Sequence, residues 1–353
     1  MSWLESELRE QPQALAQLLE RQGERAREIA GIFGREDVRY VVIASRGSSS
    51  NAARYAQYLL GRAHRVPVMF ATPSLYTIYE QPPRLDGAVV LGISQSGASP
   101  DVASVLAEAR RQGRPTVALT NALDSPLARE ADSVLLLEAG EERAVAATKT
   151  YVAQLAAVAA LVGKLAPGPT LRAALPALPD ELTAALDQAT AWVDGPAGQE
   201  LAGAMATAGR AIIASRGFNL ATALEVSLKL KETSRVFAEG YSTADLEHGP
   251  IVLAAPDVPL LVVRPDGPMG LAIDDSIERA EAIGSRTWLI GGRELNGRAD
   301  SLALGAAPEE ALPEALTPLV YVLPGQLLAE AVALRLGRDP DAPSGLTKIT
   351  RTR

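Results

Sequence analysis

Short, continuous apolar runs recur along the chain and alternate with longer stretches that suit helices. In the first half of the chain the runs are residues 40–43, 88–93, 115–119 and 133–137. Runs of this length between helical stretches are typical of parallel strands that helices bury on both faces. The pattern predicts a doubly wound parallel sheet, with an amphipathic helix before it at about residues 12–33.

The second half of the chain repeats this order. The pentapeptide Ile-Ala-Ser-Arg-Gly occurs at residues 43–47 and again at 213–217. The apolar runs that follow the second copy are residues 259–263, 287–290 and 319–323. An apolar helix is predicted to close each half, at 154–162 and 326–336. We therefore predict an α/β protein with two homologous doubly wound parallel-sheet domains of the flavodoxin-like type, with flanking helices.

The predicted organisation comprises an N-terminal helical segment (1–34), a first domain (35–163), a linker with a helix (164–197), a second domain (198–335) and a C-terminal tail (336–353). One segment is ambiguous, because residues 224–231 alternate apolar and polar side chains as a strand would. The repeat places this segment after a glycine turn, where a helix has to cross back to the next parallel strand. We predict a helix over residues 220–236.

Composition narrows the classes of function. The net charge of −8 argues against nucleic acid as the main partner, because binding to the phosphate backbone usually needs a basic face. Cysteine is absent and the only histidines are His64 and His248, so we expect no disulfide and no cysteine-ligated or multi-histidine metal site. We also expect no cofactor. The N-terminus lacks the order of a signal peptide, and the apolar stretch at 152–162 is too short to span a membrane. We expect a cytoplasmic protein without a membrane partner.

Hydroxyl-rich loops follow the first two apolar runs. Their residues are Gly47, Ser48 and Ser49 after the first run, and Ser94, Gln95, Ser96 and Ser99 after the second. Ligands of such sheets sit at the carboxyl ends of strands, and backbone N–H groups at a helix start suit a phosphate. The alternative is that these serines only cap helices and fill turns. Two such loops on successive strands favour a phosphate site.

The second half offers acid–base groups instead of hydroxyls. Lys229 and Glu232 are three residues apart and would share one helix face, whereas His248 lies in a Gly-Pro turn. Each has a plain structural interpretation, as an intrahelical ion pair or as an exposed turn histidine. The functional interpretation is a carboxylate base next to an ammonium group. Only five of the 34 basic residues are lysines, which makes each lysine more informative, because an amine can act as a nucleophile and a guanidinium cannot.

These segments together resemble the tandem sugar-isomerase (SIS) domain family. The matching stretches are residues 47–51, 93–97, 145–149, 223–232, 246–250 and 346–348. They are similar to the isomerase half of glutamine–fructose-6-phosphate aminotransferase and to the isomerase-like glucosamine-6-phosphate deaminases. The amino-acid sequences at residues 96–101 and 348–352 are more similar to those of the deaminases. The sequence holds no counterpart of the glutaminase half, so we expect no glutamine-dependent synthesis by this chain alone.

The resemblance implies a role for each matching position. The implied 6-phosphate ligands are Ser49, Ser94, Gln95, Ser96 and Ser99. Glu232 would move a proton between C1 and C2 of the sugar, and Lys229 would assist at O1. His248 would open the ring and would come from the neighbouring subunit of a homodimer. Lys348 from the tail would be catalytic and would lie over the substrate, and its counterpart in the synthase forms an imine with fructose 6-phosphate. The other residues expected around the sugar are Glu142 near the amino group, Val145, and Ala147, which replaces a serine of the synthase.

The function implied is that of a glucosamine-6-phosphate deaminase that produces fructose 6-phosphate and ammonia. Two enzymatic alternatives remain open, a fructosamine-6-phosphate deglycase and a phosphosugar isomerase. A regulatory protein that binds sugar phosphates without turnover is the non-enzymatic alternative. The expected small-molecule partner in each case is a hexosamine or hexose 6-phosphate.

Overall fold

The computed structural model of the protein describes residues 1–162, 170–295, 297–305 and 312–348. The chain divides into two compact units. The first unit comprises Glu10–Glu142, Lys149–Pro179 and Thr347–Arg353, and the second comprises Met1–Arg9, Arg143–Thr148 and Asp180–Leu346. The predicted ranges 35–163 and 198–335 therefore contain the two sheets but do not coincide with the units. Outside the described residues lie residue 163 of the predicted first domain, 164–169 of the predicted linker, 296 and 306–311 of the predicted second domain, and 349–353 of the predicted tail.

Each unit is built around one five-stranded parallel sheet. The strands are β1 (Tyr40–Ser45), β2 (Val68–Phe70), β3 (Ala88–Ile93), β4 (Thr116–Thr120), β5 (Ser133–Leu136), β6 (Arg210–Ser215), β7 (Phe237–Ser242), β8 (Leu260–Arg264), β9 (Thr287–Gly291) and β10 (Ser301–Ala303). The first sheet has the order β2-β1-β3-β4-β5, and the second has the corresponding order β7-β6-β8-β9-β10. This is the flavodoxin-like order of a doubly wound fold. Homology of the two halves stays a prediction, which the shared order supports.

Helices connect and cover the strands. They are α1 (Trp3–Arg9), α2 (Gln11–Phe33), α3 (Ser48–His64), α4 (Ser74–Thr77), α5 (Pro100–Arg111), α6 (Pro126–Arg129), α7 (Lys149–Val162), α8 (Thr170–Ala174), α9 (Leu178–Asp194), α10 (Pro196–Ala208), α11 (Leu220–Lys229), α12 (Thr243–Glu247), α13 (Pro268–Ala282), α14 (Thr317–Tyr321) and α15 (Leu323–Arg335). All six residues of β3 are buried, as are all five of β8. The apolar runs thus form central strands because helices remove both of their faces from water.

The segment with the ambiguous period is helical, as predicted. Helix α11 ends at Lys229 and continues into a π-helical turn, Leu230–Ser234. A π-helical turn widens the backbone spiral by one residue and is often found at functional sites. Glu232 lies on this turn.

One predicted strand is wrong. The run at residues 319–323 lies in α14 and at the start of α15, and the last strand of the second sheet is β10. A short apolar run without periodicity fits a buried helix as well as a buried strand. Pro318 and Pro324 lie in the first turns of these helices, where proline is tolerated, whereas a central strand excludes it.

A second apolar segment is longer than the one at 152–162. Glu314–Arg335 is long and apolar enough to cross a membrane by length and composition, yet 94% of its most apolar window is buried inside the protein. Such burial is what an apolar helix in a protein core shows.

Candidate active site

Two loops of the first unit begin side by side at the carboxyl edge of its sheet. Ser45 ends β1 and pairs in register with Ile93, which ends β3. The first loop turns through Gly47, whose φ is 56°, into α3, and the second runs from Ser94 to Ser99 into α5. The predicted phosphate ligands on these loops and on the first turn of α3 are Gly47, Ser48, Ser49, Ser94, Gln95, Ser96 and Ser99.

The serine hydroxyls of these loops also have partners within the protein. Loop N–H groups donate to Ser94 Oγ at 3.2 Å and to Ser96 Oγ at 3.3 Å. The Oγ of buried Ser49 accepts a hydrogen bond from Gln154 Nε2 at 2.9 Å. A hydroxyl group that accepts one such bond keeps its own hydrogen to donate. These serines therefore shape the loops and can still offer donors to an anion.

Glu142 and Lys348 meet in the first unit. Lys348 Nζ donates to Glu142 Oε2 at 2.8 Å, and Thr150 donates to the same carboxylate through its N–H at 2.9 Å and its hydroxyl at 2.7 Å. Burial alone would raise the pKa of Glu142, but the charge and hydrogen bond of Lys348, with the two bonds from Thr150, outweigh it and lower the pKa. Glu142 is therefore a buried carboxylate that is held ionised.

Lys149, in the same unit, is held by other groups. Its ammonium donates to Glu10 Oε2 and to the carbonyl oxygen of Glu141, both at 2.6 Å. The side chain is 2% exposed. Lys149 thus fixes the start of α7 against α2 and is engaged structurally.

The second unit brings together Lys229 and Glu232, as predicted. Lys229 is 1% exposed, and its Nζ forms a close ion pair with Glu232 and lies 3.5 Å from the fully buried Glu225. The Glu232 side chain is partly exposed, at 24%. One carboxylate of the pair around Lys229 is therefore accessible, whereas the other is sealed inside the protein.

Sequence reasoning gave Glu225 no role, although it lies in the matching stretch 223–232. Its signal was available, because Glu225 and Lys229 are four residues apart and such residues are neighbours on a helix. Glu225 supplies the negative charge that compensates burial of the Lys229 ammonium. Without it, the buried Lys229 ammonium would lose one of the two carboxylates beside it.

His248, in the second unit, is exposed on the turn after α12. Its N–H donates to the carbonyl oxygen of Asp245 at 3.2 Å, and Gly249 follows with φ of 131°. Val252, three residues after Gly249, is 75% exposed. The structure thus presents His248 at the surface, four residues before an exposed apolar side chain.

Val145 and Ala147, both partly buried, lie on a short segment of the second unit. The Val145 N–H donates to the carbonyl oxygen of Asp341 at 2.9 Å. The two residues before Val145, Arg143 and Ala144, donate their backbone N–H groups to the carboxylate of buried Glu7. Helix α1 and the segment around Asp341 therefore fix this stretch.

Among the residues that the structure describes, no cluster of three or more acidic or histidine side chains could hold a metal ion.

Comparison with known proteins bears on this arrangement. The model of the SIS domain matches residues 36–164, the range that holds β1 to β5. A solved structure from Silicibacter pomeroyi DSS-3, assigned provisionally as a phosphosugar isomerase, is 31% identical, covers 97% of this chain and 100% of its own, and superimposes with a TM-score of 0.84. The chain belongs to the SIS-domain family.

Two further proteins are similar to this SIS-domain protein, one in sequence and one in structure. Glutamine–fructose-6-phosphate aminotransferase (isomerizing) of Zymomonas mobilis is 33% identical over 98% of the chain, which spans only 58% of that relative's length. The glucosamine-6-phosphate deaminase of Thermotoga maritima covers 99% of the chain and 100% of its own with a TM-score of 0.78. Because its sequence identity is only 20%, this similarity establishes a shared fold and nothing more.

Proposed function

We propose that this SIS-domain protein is a glucosamine-6-phosphate deaminase, which isomerises the open-chain aminosugar and releases ammonia to give fructose 6-phosphate. The observation that carries the proposal is the cluster in which the buried Lys229 ammonium lies beside the accessible Glu232 carboxylate. The names of two relatives, which concern fructose 6-phosphate and glucosamine 6-phosphate, support the substrate class.

The chemistry requires a positioned base and stabilisation of charge at O1. Glu232 takes the C2 proton, and the electrons of the broken C–H bond form a C1–C2 double bond while charge develops on O1. The Lys229 ammonium stabilises that charge. Glu232 returns the proton to C1, O1 gains the proton that the amino nitrogen loses, and a ketimine forms at C2. Water hydrolyses the ketimine to a ketone and ammonia.

The first unit supports binding of the phosphate and of the amino end of the substrate. We infer that the 6-phosphate is held by the hydroxyl-rich loops and the backbone N–H groups at the start of α3. The residues involved are Gly47, Ser48, Ser49, Ser94, Gln95, Ser96 and Ser99. We infer that Glu142 lies near the amino group of the sugar and that Lys348 lies over the substrate as a catalytic residue. We infer from the family resemblance that Val145 and Ala147 also contact the sugar.

An ammonia-release assay with glucosamine 6-phosphate tests the proposal. The purified full chain is expected to release ammonia and fructose 6-phosphate in equal amounts. Glu232→Gln should lower kcat by at least about 100-fold, the range typical of a lost general base. Glu239→Gln is the matched control, because that carboxylate is 41% exposed and lies 3.9 Å from Lys231. Normal turnover in Glu232→Gln would refute the role of Glu232.

Other substrates in the same assay separate the alternatives. Faster turnover of fructosamine 6-phosphates would identify a deglycase. Interconversion of hexose 6-phosphates without ammonia would identify a phosphosugar isomerase. Binding of sugar phosphates without any turnover would identify a regulatory protein. Each of these outcomes would overturn the deaminase assignment.

We further propose that His248 acts in the site of a second copy of the chain in a homodimer. The exposure of His248, on a turn that leads to the exposed Val252, supports this role. Mixed dimers of His248→Ala and Glu232→Gln would then contain one intact site and regain activity that neither variant has alone. A His248 that acts within its own chain would leave the mixture inactive.

A further inference from the structure

The arginine of the repeated pentapeptide stands at the edge of the proposed phosphate site. Arg46 follows Ser45 directly, and Ser45 pairs in register with Ile93, the residue before Ser94. Arg46 and Ser94 are therefore the first residues of the two neighbouring loops. No other role in the proposed reaction uses Arg46.

Arg46 is anchored on one side and open on the other. Its Nε donates to Asp101 Oδ2 at 2.7 Å, and the Asp101 side chain is 1% exposed, whereas that of Arg46 is 49% exposed. The other oxygen of Asp101 accepts the N–H of Val102 at 3.0 Å in the first turn of α5. Among the described residues, the two Nη groups of Arg46 have no hydrogen-bond partner. A guanidinium fixed through Nε thus presents its remaining donors outward.

The loops themselves offer a phosphate only neutral donors. Lys149 and Lys348, two other cations of the unit, are engaged by Glu10 and Glu142. Asp101 lies at the start of α5, where the positive end of the helix dipole offsets part of its charge. This leaves the Arg46 guanidinium able to pair with a second anion, for which a phosphate is geometrically suited.

We propose that Arg46 binds the phosphoryl group and makes the site selective for phosphorylated over unphosphorylated sugars, with Asp101 as its positioning residue. This inference rests on the proposed function for the location of the phosphate. It assigns the site a cationic ligand beside the hydroxyl loops.

Calorimetric titration of the full chain with glucose 6-phosphate, and with inorganic phosphate and glucose as references, tests the inference. Arg46→Gln should raise the Kd for glucose 6-phosphate by roughly 10- to 100-fold, the range for a lost hydrogen bond to a charged group. Arg46→Lys should give a smaller increase, because it keeps the charge but loses the planar donors. Asp101→Asn should raise the Kd several-fold. Affinity for glucose should not change.

Arg216→Gln is the matched control. Arg216 occupies the same position in the second copy of the pentapeptide, is exposed, and belongs to the second unit. Unchanged affinity in Arg46→Gln, or an equal loss in Arg216→Gln, would overturn the role of Arg46. Unchanged affinity in Asp101→Asn would overturn its positioning role. If the unaltered protein bound neither phosphate ligand, the phosphate site of the proposed function would fail as well.

Discussion

The carboxylate of Glu142 holds the ammonium group of Lys348, 206 residues further along the chain, at 2.8 Å. The carboxylate is fully buried, whereas the Lys348 side chain is 25% exposed. The pair therefore ties the C-terminal tail to the loop before α7. Burial and ion pairing shift the pKa of Glu142 in opposite directions. Replacing Glu142 and replacing Lys348 therefore give two separate tests of stability.

Replacing Glu142 tests the depressed pKa of its carboxyl group. A pKa lower in the folded than in the unfolded protein stabilises the fold above the ordinary value of 4.5, and this contribution is lost as pH falls through the folded pKa. Glu142→Gln should therefore be less stable than the unaltered protein by about 1–3 kcal/mol at pH 7. Thermal unfolding should show this difference shrinking between pH 5 and pH 3. Glu141→Gln, which alters the exposed neighbour, is the control, and a constant difference across this range would contradict the assignment.

Removing the ammonium group of Lys348 should change the pH dependence of stability in the same direction. In Lys348→Met, burial still raises the pKa of Glu142, while the strongest opposing influence is gone. The folded-state pKa then moves upward, so less stability is lost on acidification than in the unaltered protein. We expect a destabilisation of about 3 kcal/mol at pH 7, because a buried charge loses its partner. An acid-induced loss as large as that of the unaltered protein would show that Lys348 does not set the pKa.

Central strands could be predicted from sequence because their signal is strong. The run at 88–93 is fully apolar and forms β3, buried throughout. The edge strands β2 and β7 could not be predicted in this way. Met69 in β2 and Phe237 in β7 are exposed, and polar residues interrupt the sequence of β7. An edge strand has one unpaired side and needs no continuous apolar run. Pattern alone also could not separate the helix at 319–323 from a strand.

The candidate site was accessible to sequence reasoning only where its contacts are local. The pairing of Lys229 with Glu232 follows from helix spacing. The contact of Arg46 with Asp101 joins the first loop to the start of α5, and no spacing in the sequence encodes it. The position of Lys348 was suggested by resemblance and not by any local pattern.

The glycine in the second loop gives a test of loop geometry. Gly97 has φ of 59°, and a Cβ atom there would overlap the side chain of Ser125. Gly97→Ala should cost about 1–3 kcal/mol and weaken binding of glucose 6-phosphate, because the loop must shift. Gly113→Ala is the control, since Gly113 has φ of 68° but open space around it. It should show only the conformational cost, about 1 kcal/mol, with normal binding. Equal effects of the two changes would show that the contact with Ser125 is unimportant.

The buried ammonium of the second unit gives a test that separates core electrostatics from surface charge. Lys229→Met leaves fully buried Glu225 without its ammonium partner, and we expect a loss of about 3–5 kcal/mol in the free energy of unfolding. Lys231→Met, two residues away, removes a lysine that is 40% exposed and 3.9 Å from Glu239. Its effect should stay within about 0.5 kcal/mol. Denaturant titrations of both variants at pH 7 measure the difference. A loss in Lys229→Met that is no larger than the loss in Lys231→Met would contradict the stabilising role of the buried Lys229 ammonium.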